Sequence, residues 1–153
     1  MNVVNRFKLD GKSSLVTGAG QGIGRSYAIA LAEAGSDVAI VDIDPDKAKS
    51  TSTQISNMGR RAISIEADVT NAKDTERMVE IVVSEWGKLD IGVNNVGGSS
   101  PVKAVDYTEE SWDTAMNLTL KSIMLSSQAE AKIMIPVKYG NIVNTASMSG
   151  LIV

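Results

Sequence analysis

The chain has 153 residues, 43% of them hydrophobic and 22% charged, values typical of one globular domain with a sizeable core. Its formal net charge of −3 argues against a nucleic-acid partner, because binding a phosphate backbone needs a basic face. The chain has no cysteine and no histidine, which excludes disulfides and thiolate catalysis, argues against a zinc site, and leaves carboxylate, lysine or tyrosine for acid–base chemistry.

Apolar runs and helical patterns alternate along the chain. Strands are predicted at residues 13–17, 38–41, 62–65, 89–93 and 141–145. Helices are predicted between them, at residues 22–34, at 45–57, from a cap at Thr70 or Asn71 to Gly87, and at 109–134. This alternation predicts an α/β fold, in which a parallel sheet is covered by helices on both faces.

Capping signals mark the ends of several predicted helices. Asp44 followed by proline is typical of an N-cap with proline at the first helical position, and Thr108 is the expected cap of the fourth helix. Gly35 is expected just after the first helix, and Pro136 is expected to end the fourth. The fourth helix is predicted to be continuous, with an apolar face that comprises Trp112, Met116, Leu120 and Ile123.

A glycine-rich turn joins the first strand to the first helix, in the sequence Thr-Gly-Ala-Gly-Gln-Gly-Ile-Gly at residues 17–24. Glycines let the backbone approach phosphates closely, and the free N–H groups at a helix N-terminus attract negative charge. The turn therefore predicts a nucleotide site. Its spacing does not fit G-x-G-x-x-G, since the third glycine would fall on Ile23 or Arg25.

The spacing that fits is T-G-x-x-x-G-x-G, and in this the chain resembles the short-chain dehydrogenase/reductase family. The resemblance implies a doubly wound, Rossmann-type parallel sheet and hydride transfer between a nicotinamide cofactor and a small alcohol or carbonyl substrate. It also implies that the cofactor contacts the turn at Gly18, Gln21, Gly22, Ile23 and Gly24.

Asp42 stands at the end of the second predicted strand, a position from which a carboxylate can accept hydrogen bonds from the adenosine ribose and repel a 2′-phosphate. No arginine adjoins it in sequence, and the residue before Gly22 is Gln21, which carries no charge. These features favour NAD over NADP. The alternative is a solvated carboxylate at a strand end.

Two further segments match the family where predicted strands end. In the family an aspartate at the position of Asp68, next to Val69, holds the adenine amino group, although Asp68 could also be an ordinary loop residue before a helix. Residues 94–98 resemble the family's Asn-Asn-Ala-Gly, with valine in place of alanine. Asn94 is expected to tie neighbouring strands through its amide, while an N-G-type turn is the alternative for the segment. The expected cofactor neighbours are Asn95, Val96 and Gly97.

The resemblance implies two catalytic residues. Asn117 matches an asparagine that holds a water in the family's proton relay, although helix geometry alone would place a mid-helix asparagine toward solvent. Ser147 matches the serine that donates a hydrogen bond to the substrate oxygen. Thr145 and Ser149 are alternatives if the register is shifted by two, and a helix N-cap is the structural alternative for Ser147.

The family's Tyr-x-x-x-Lys, in which tyrosine is the general acid–base, is absent from the sequence. We therefore expect residues 1–153 to be the N-terminal portion of a family member, with the sheet truncated after its fifth strand, and inactive alone. A non-catalytic nucleotide-binding module and a subunit-interaction fragment are the alternative functions. The complete protein is expected to form a homo-oligomer.

The sequence also predicts where the protein is found. No apolar run approaches the length of a membrane span, and the N-terminus lacks a basic region followed by an apolar stretch. A cytoplasmic location without membrane contact is therefore expected.

Overall fold

The computed structural model of the chain describes residues 3–98 and 102–148. Five parallel strands form one sheet in the order β3-β2-β1-β4-β5. The strands are β1 (Ser13–Thr17), β2 (Asp37–Asp42), β3 (Ala62–Glu66), β4 (Ile91–Asn94) and β5 (Asn141–Asn144). The predicted α/β class and parallel sheet are confirmed, and the strand order changes direction between β1 and β4.

Helices cover both faces of the sheet. They are α1 (Gly22–Glu33), α2 (Pro45–Asn57), α3 (Ala72–Trp86), α4 (Glu109–Met116) and α5 (Ser122–Val137). Short 3₁₀ segments occupy Val3–Phe7 and Ala104–Asp106. No helix within the described residues is both apolar enough and long enough to cross a membrane.

Alternate residues along the strands face two separate cores. On β2, Val38 and Ile40 pack with α1 and α2, whereas Ala39 and Val41 pack with α3 and α5. Side chains alternate between the faces of a strand, so an apolar run such as that of β2 can be buried on both sides. This two-sided burial is the reason why the strands read as continuous apolar runs in the sequence.

The predicted caps are present. The Asp44 side chain accepts hydrogen bonds from the backbone N–H groups of Asp46 and Lys47, and Asn71 rather than Thr70 caps α3. Thr108 caps α4 by accepting a hydrogen bond from the Ser111 N–H. Each cap satisfies donors that the first turn of a helix leaves unpaired.

The predicted continuous helix over 109–134 is wrong in two respects. A π turn, Asn117–Lys121, separates α4 from α5, and the Ser122 N–H bonds to the carbonyl of Asn117 five residues earlier. Pro136 does not end the helix, which continues through Val137 and ends where Lys138 takes a left-handed φ of 53°. A proline in the last turn removes a single helical hydrogen bond, and this loss does not stop the helix.

Strand β5 lies at the edge of the sheet. It pairs with β4 on one side, and no strand of the described residues pairs with its other side. Val143 in the middle of β5 is 53% exposed. On α4 and the π turn, Trp112 and Leu120 are also exposed, so the apolar face predicted for them is not buried within this chain.

Candidate functional site

The glycine turn between β1 and α1 is shaped by close backbone packing. Gly18 and Gly22 have φ values of +61° and +57°, in the left-handed region that favours glycine. A side chain at Gly24 would collide with the carbonyl oxygen of Gly18 and approach Nδ2 of Asn95 to 2.7 Å. A Cβ at Gly22, by contrast, would have no atom within 4 Å. The turn thus presents open backbone toward a space that a phosphate could occupy.

A cavity of about 380 Å³ opens beside this turn at the carboxyl ends of the strands. In open parallel sheets ligands bind at this edge, where the strand order changes direction. All the predicted cofactor residues line it except Gly22 and Gly24, which lie in the adjoining turn. The lining residues are Gly18, Gln21, Ile23, Val41, Asp42, Ile43, Ala67, Asp68, Val69, Asn95, Val96, Gly97 and Leu118.

Asp42 is held at the cavity by backbone hydrogen bonds. Its Oδ2 accepts from the N–H of Gly20 at 2.8 Å, and its Oδ1 accepts from the N–H of Asp44 at 3.1 Å. Any Cβ at Gly20 would lie 2.6 Å from Cβ of Lys47 and 2.8 Å from Oδ2 of Asp42, so only glycine fits there. No role was predicted for Gly20 from the sequence, where its place beside three motif glycines was the available signal.

Lys47, whose Cβ lies near Gly20, is engaged with another carboxylate. Nζ of Lys47 lies 3.0 Å from Oδ2 of Asp44, within the first turn of α2. This ion pair and the backbone bonds at the cap hold the pKa of the Asp44 carboxyl below its ordinary value. Among the described ion pairs Lys47 is thus paired with Asp44, while Asp42 lines the cavity.

Asp68 and Asn95 each fix a loop at the cavity. Oδ1 of Asp68 accepts from both the N–H and the hydroxyl of Thr70, at 2.9 and 2.7 Å. The backbone N–H of Asn95 donates to Oγ1 of Thr17 at 3.0 Å. Asp68 therefore orders the loop before α3, which was the alternative role predicted for it, and it also lies on the cavity wall. The Asn95 hydrogen bond joins the end of β4 to the end of β1.

A second cavity, of about 580 Å³, has four lining residues in common with the first: Ile23, Asn95, Val96 and Gly97. Ser147 and Thr145 both line it, so two of the three candidate hydroxyls predicted from the sequence reach the same space; Ser149 lies outside the described residues. The remaining lining residues are Gly98, Thr119, Ile123, Asn144 and Ala146.

Asn117 is not brought to this cavity. It is exposed at the start of the π turn and is not among the described residues that line either cavity. Thr119 and Ile123 line the second cavity instead, and Leu118 lines the first. Residues two apart on a helix point to nearly opposite sides, so Asn117 and Thr119 cannot share a face. Thr119 was not predicted as a cavity residue because nothing in the sequence marks the π turn.

A buried polar cluster lies behind the second cavity, between β4, β5 and α5. Nδ2 of Asn94 donates to Oδ1 of Asn144 at 3.0 Å and to Oε2 of Glu130 at 3.1 Å, which confirms that this amide ties neighbouring strands. Glu130 is fully buried, and a Cβ at Gly92 would collide with its carboxyl. Burial raises the pKa of Glu130 to about 7, against the opposing effect of the Asn94 hydrogen bond.

Comparisons with known proteins agree on a family. The family model described as short chain dehydrogenase matches residues 12–153. The 2-dehydro-3-deoxy-D-gluconate 5-dehydrogenase of Dickeya dadantii is 40% identical over 147 residues, which are 95% of this chain and 57% of that protein. The chain thus spans little more than half of this relative.

Solved structures give the same result. A short-chain type dehydrogenase/reductase from Mycobacterium marinum superposes with a TM-score of 0.97 at 35% identity, over 100% of this chain and 62% of the other. A 7α-hydroxysteroid dehydrogenase complexed with NADH and 7-oxo glycochenodeoxycholic acid superposes with a TM-score of 0.93 at 34% identity, over 99% and 59%. The Rossmann-type fold is therefore confirmed, and the chain spans about three fifths of the length of these structures.

Proposed function

Since the chain belongs to the short-chain dehydrogenase/reductase family, we propose that it is the NAD-binding portion of an oxidoreductase that acts on a small alcohol or carbonyl compound. The observation that carries the proposal is that two cavities adjoin at shared lining residues. One is lined by Asp42 and Asp68 beside the glycine turn, and the other by Ser147, with Gly97 common to both.

The adenosine half of the cofactor would lie in the first cavity. Asp42 keeps lone pairs for ribose hydroxyls after accepting two backbone hydrogen bonds, because a carboxylate has about four acceptor positions. Its negative charge would oppose a 2′-phosphate, which supports NAD rather than NADP. Asp68 and Val69 would border the adenine, and the backbone at Gly22 would border the pyrophosphate.

The reacting end would lie in the second cavity. When bound, the nicotinamide supplies or accepts the hydride. Ser147 would donate a hydrogen bond to the substrate oxygen and so stabilise the charge that develops there. A proton donor with a pKa near neutrality is also needed, and the sequence contains no Tyr-x-x-x-Lys to provide it. The chain alone is therefore proposed to be inactive, and the activity to belong to a longer protein.

A second candidate function is a nucleotide-binding module without catalysis. Both functions need the first cavity, and only the oxidoreductase needs the second. A homo-oligomeric state of the complete protein and a cytoplasmic location are further parts of the proposal.

Calorimetric titration of the chain with NADH, and separately with NADPH, tests the proposed function. We expect NADH to bind and NADPH to bind more weakly. Failure of both cofactors to bind would overturn the proposal. Expression of the gene's complete reading frame, followed by assays of NAD-linked alcohol oxidation, separates the two candidates, since the binding module would bind NADH without turnover.

A further inference from the structure

The loop between β3 and α3 forms one wall of the first cavity, and a carboxylate from α3 holds this loop by a hydrogen bond. We propose that Asp74 is a positioning residue of the nucleotide site, which holds Asp68 where the site distinguishes adenine from another purine. The inference rests on the proposed function for the identity of the ligand and on the described hydrogen bonds for the role of Asp74.

Three consecutive residues of the loop, Ala67, Asp68 and Val69, line the first cavity. Ala67 and Val69 are buried in the core cluster on this side of the sheet, so both ends of the short wall are anchored. The backbone N–H of Ala67 also donates to the carbonyl of Asp42 at 3.1 Å, which joins the wall to the end of β2. What the wall offers a ligand therefore depends on how Asp68 is held between these anchors.

Asp68 is held by two sets of hydrogen bonds. Within the turn, its carbonyl accepts from the N–H of Asn71 at 3.0 Å, and its Oδ1 accepts from the N–H and the hydroxyl of Thr70. From the helix, Oδ2 of Asp74 accepts from the backbone N–H of Asp68 at 2.9 Å. The first set fixes the shape of the turn, whereas Asp74 fixes the backbone of Asp68 relative to the first turn of α3.

Arg77 holds the other oxygen of Asp74. Nη2 of Arg77 lies 3.3 Å from Oδ1 of Asp74, and it also donates to the carbonyl of Glu66 at 2.6 Å. Glu66 is the last residue of β3, so Asp74 and Arg77 together join the strand, the loop and the helix. The hydrogen bond from Asp68 lowers the pKa of the Asp74 carboxyl against the effect of burial, and Arg77 lowers it further, so Asp74 is charged at neutral pH.

The carboxylate of Asp68 has acceptor capacity for a ligand. Its Oδ1 is engaged with Thr70, whereas Oδ2 accepts no hydrogen bond from the described residues. Adenine carries an amino donor where hypoxanthine carries a carbonyl acceptor, and a carboxylate binds the donor and repels the acceptor. With Asp68 beside the base, as the proposed function has it, the site favours adenine. Loss of the hydrogen bond to Asp74 should reduce that preference.

The test compares NADH with reduced nicotinamide hypoxanthine dinucleotide, which differs only at that group of the base, by calorimetric titration of the chain. In Asp74→Ala, we expect the NADH dissociation constant to rise about three- to tenfold, the effect of one hydrogen bond. The hypoxanthine analogue has no donor to lose, so its affinity should change little and the preference should fall by the same factor. Asp74→Asn keeps an acceptor oxygen and should retain the preference. Amide hydrogen exchange at Asp68, measured by NMR without cofactor, should be faster in Asp74→Ala only.

Glu76→Ala is the matched control. Glu76 is a carboxylate of the same helix whose Oε1 lies 2.7 Å from Nζ of Lys132, and it does not line the cavity. This variant should bind both dinucleotides as the unmodified chain does. If Asp74→Ala does not fold, as judged by its thermal transition, Arg77→Met replaces it, because it removes the cation that holds the Asp74 carboxylate, and it is read in the same way.

Four results would overturn the inference while NADH still binds: no preference for NADH in the unmodified chain, an unchanged preference in Asp74→Ala, equal weakening of both dinucleotides in that variant, or loss of the preference in Glu76→Ala. Each of these results leaves NAD binding, and with it the proposed function, standing. Failure of the unmodified chain to bind either dinucleotide would instead overturn the proposed function, and the inference with it.

Discussion

The carboxylate of Glu130 lies 3.1 Å from the amide nitrogen of Asn94, in the interior between α5 and the sheet. The other carboxyl oxygen, Oε1, is buried and has no hydrogen-bond partner within the described structure. An unpaired oxygen of a charged carboxylate is costly at this depth, so burial stabilises the neutral acid relative to the carboxylate and raises the pKa of Glu130. The cluster therefore makes stability depend on pH.

Folding stability should fall as the pH rises from about 4.5 to about 7 because of Glu130. The folded-state pKa is raised from 4.5 to about 7, so the folded chain holds the proton more tightly than the unfolded chain does. The contribution is complete below the unfolded pKa and is lost as the pH passes the folded pKa, by about 3 kcal/mol in all. Urea unfolding of the chain and of Glu130→Gln between pH 5 and 9 measures it. The glutamine variant should become the more stable of the two toward pH 8.

Glu80→Gln, at an exposed position on α3, is the control for this comparison. It removes the same charge without changing the buried cluster, so its stability should follow that of the unmodified chain at every pH. A constant difference between the Glu130→Gln and unmodified chains across the pH range would contradict the prediction.

Replacement of Asp42 with alanine should weaken NADH binding by about 1–2 kcal/mol, the value of hydrogen bonds to a charged group. It should also reduce the preference over NADPH, because the charge that opposes the 2′-phosphate is removed. Calorimetry with both cofactors measures the change. Asp46→Ala removes an exposed charge near the start of α2, outside the lining of the cavity, and should leave the preference unchanged. Equal affinity of the unmodified chain for the two cofactors would remove the basis of the assignment.

Gly22→Val should abolish NADH binding while the fold remains largely formed. Valine is strained at a φ of +57°, and its side chain would project into the open space that the proposal assigns to the pyrophosphate. Gly11→Val is a matched control, since Gly11 has a φ of +73° and equally open surroundings but does not line the cavity. Both variants should lose similar stability in thermal melts, and only Gly22→Val should lose the cofactor. Undiminished binding by Gly22→Val would contradict the phosphate role of the turn.

The sheet and the first cavity could be predicted from the sequence because they depend on local patterns. Buried parallel strands are short apolar runs, and the carboxylates and glycines at their ends mark the edge where ligands bind. Helix geometry alone predicted that Asn117 faces solvent, and it is exposed; its catalytic role came only from the family resemblance. The π turn itself could not be predicted, since it adds one residue to a helix without changing its composition. Glu130 was also missed, because a glutamate in a helix is ordinarily exposed and only the tertiary packing against Gly92 buries it.

The chain of 153 residues should show no measurable dehydrogenase activity, and it should self-associate. Hydride transfer to a carbonyl needs a proton donor. The hydroxyl of Ser147, which we propose orients the substrate, cannot deliver a proton efficiently near neutral pH. Association is expected for a separate reason. One edge of strand β5 has no partner strand in the described structure, and Val143 on this strand is 53% exposed. An exposed apolar edge of this kind can pair with a strand of another chain. NADH turnover with a panel of alcohols and ketones tests the first expectation, and light scattering tests the second. Robust turnover would mean that another group supplies the proton, and a monomer at high concentration would mean that the edge of β5 is protected.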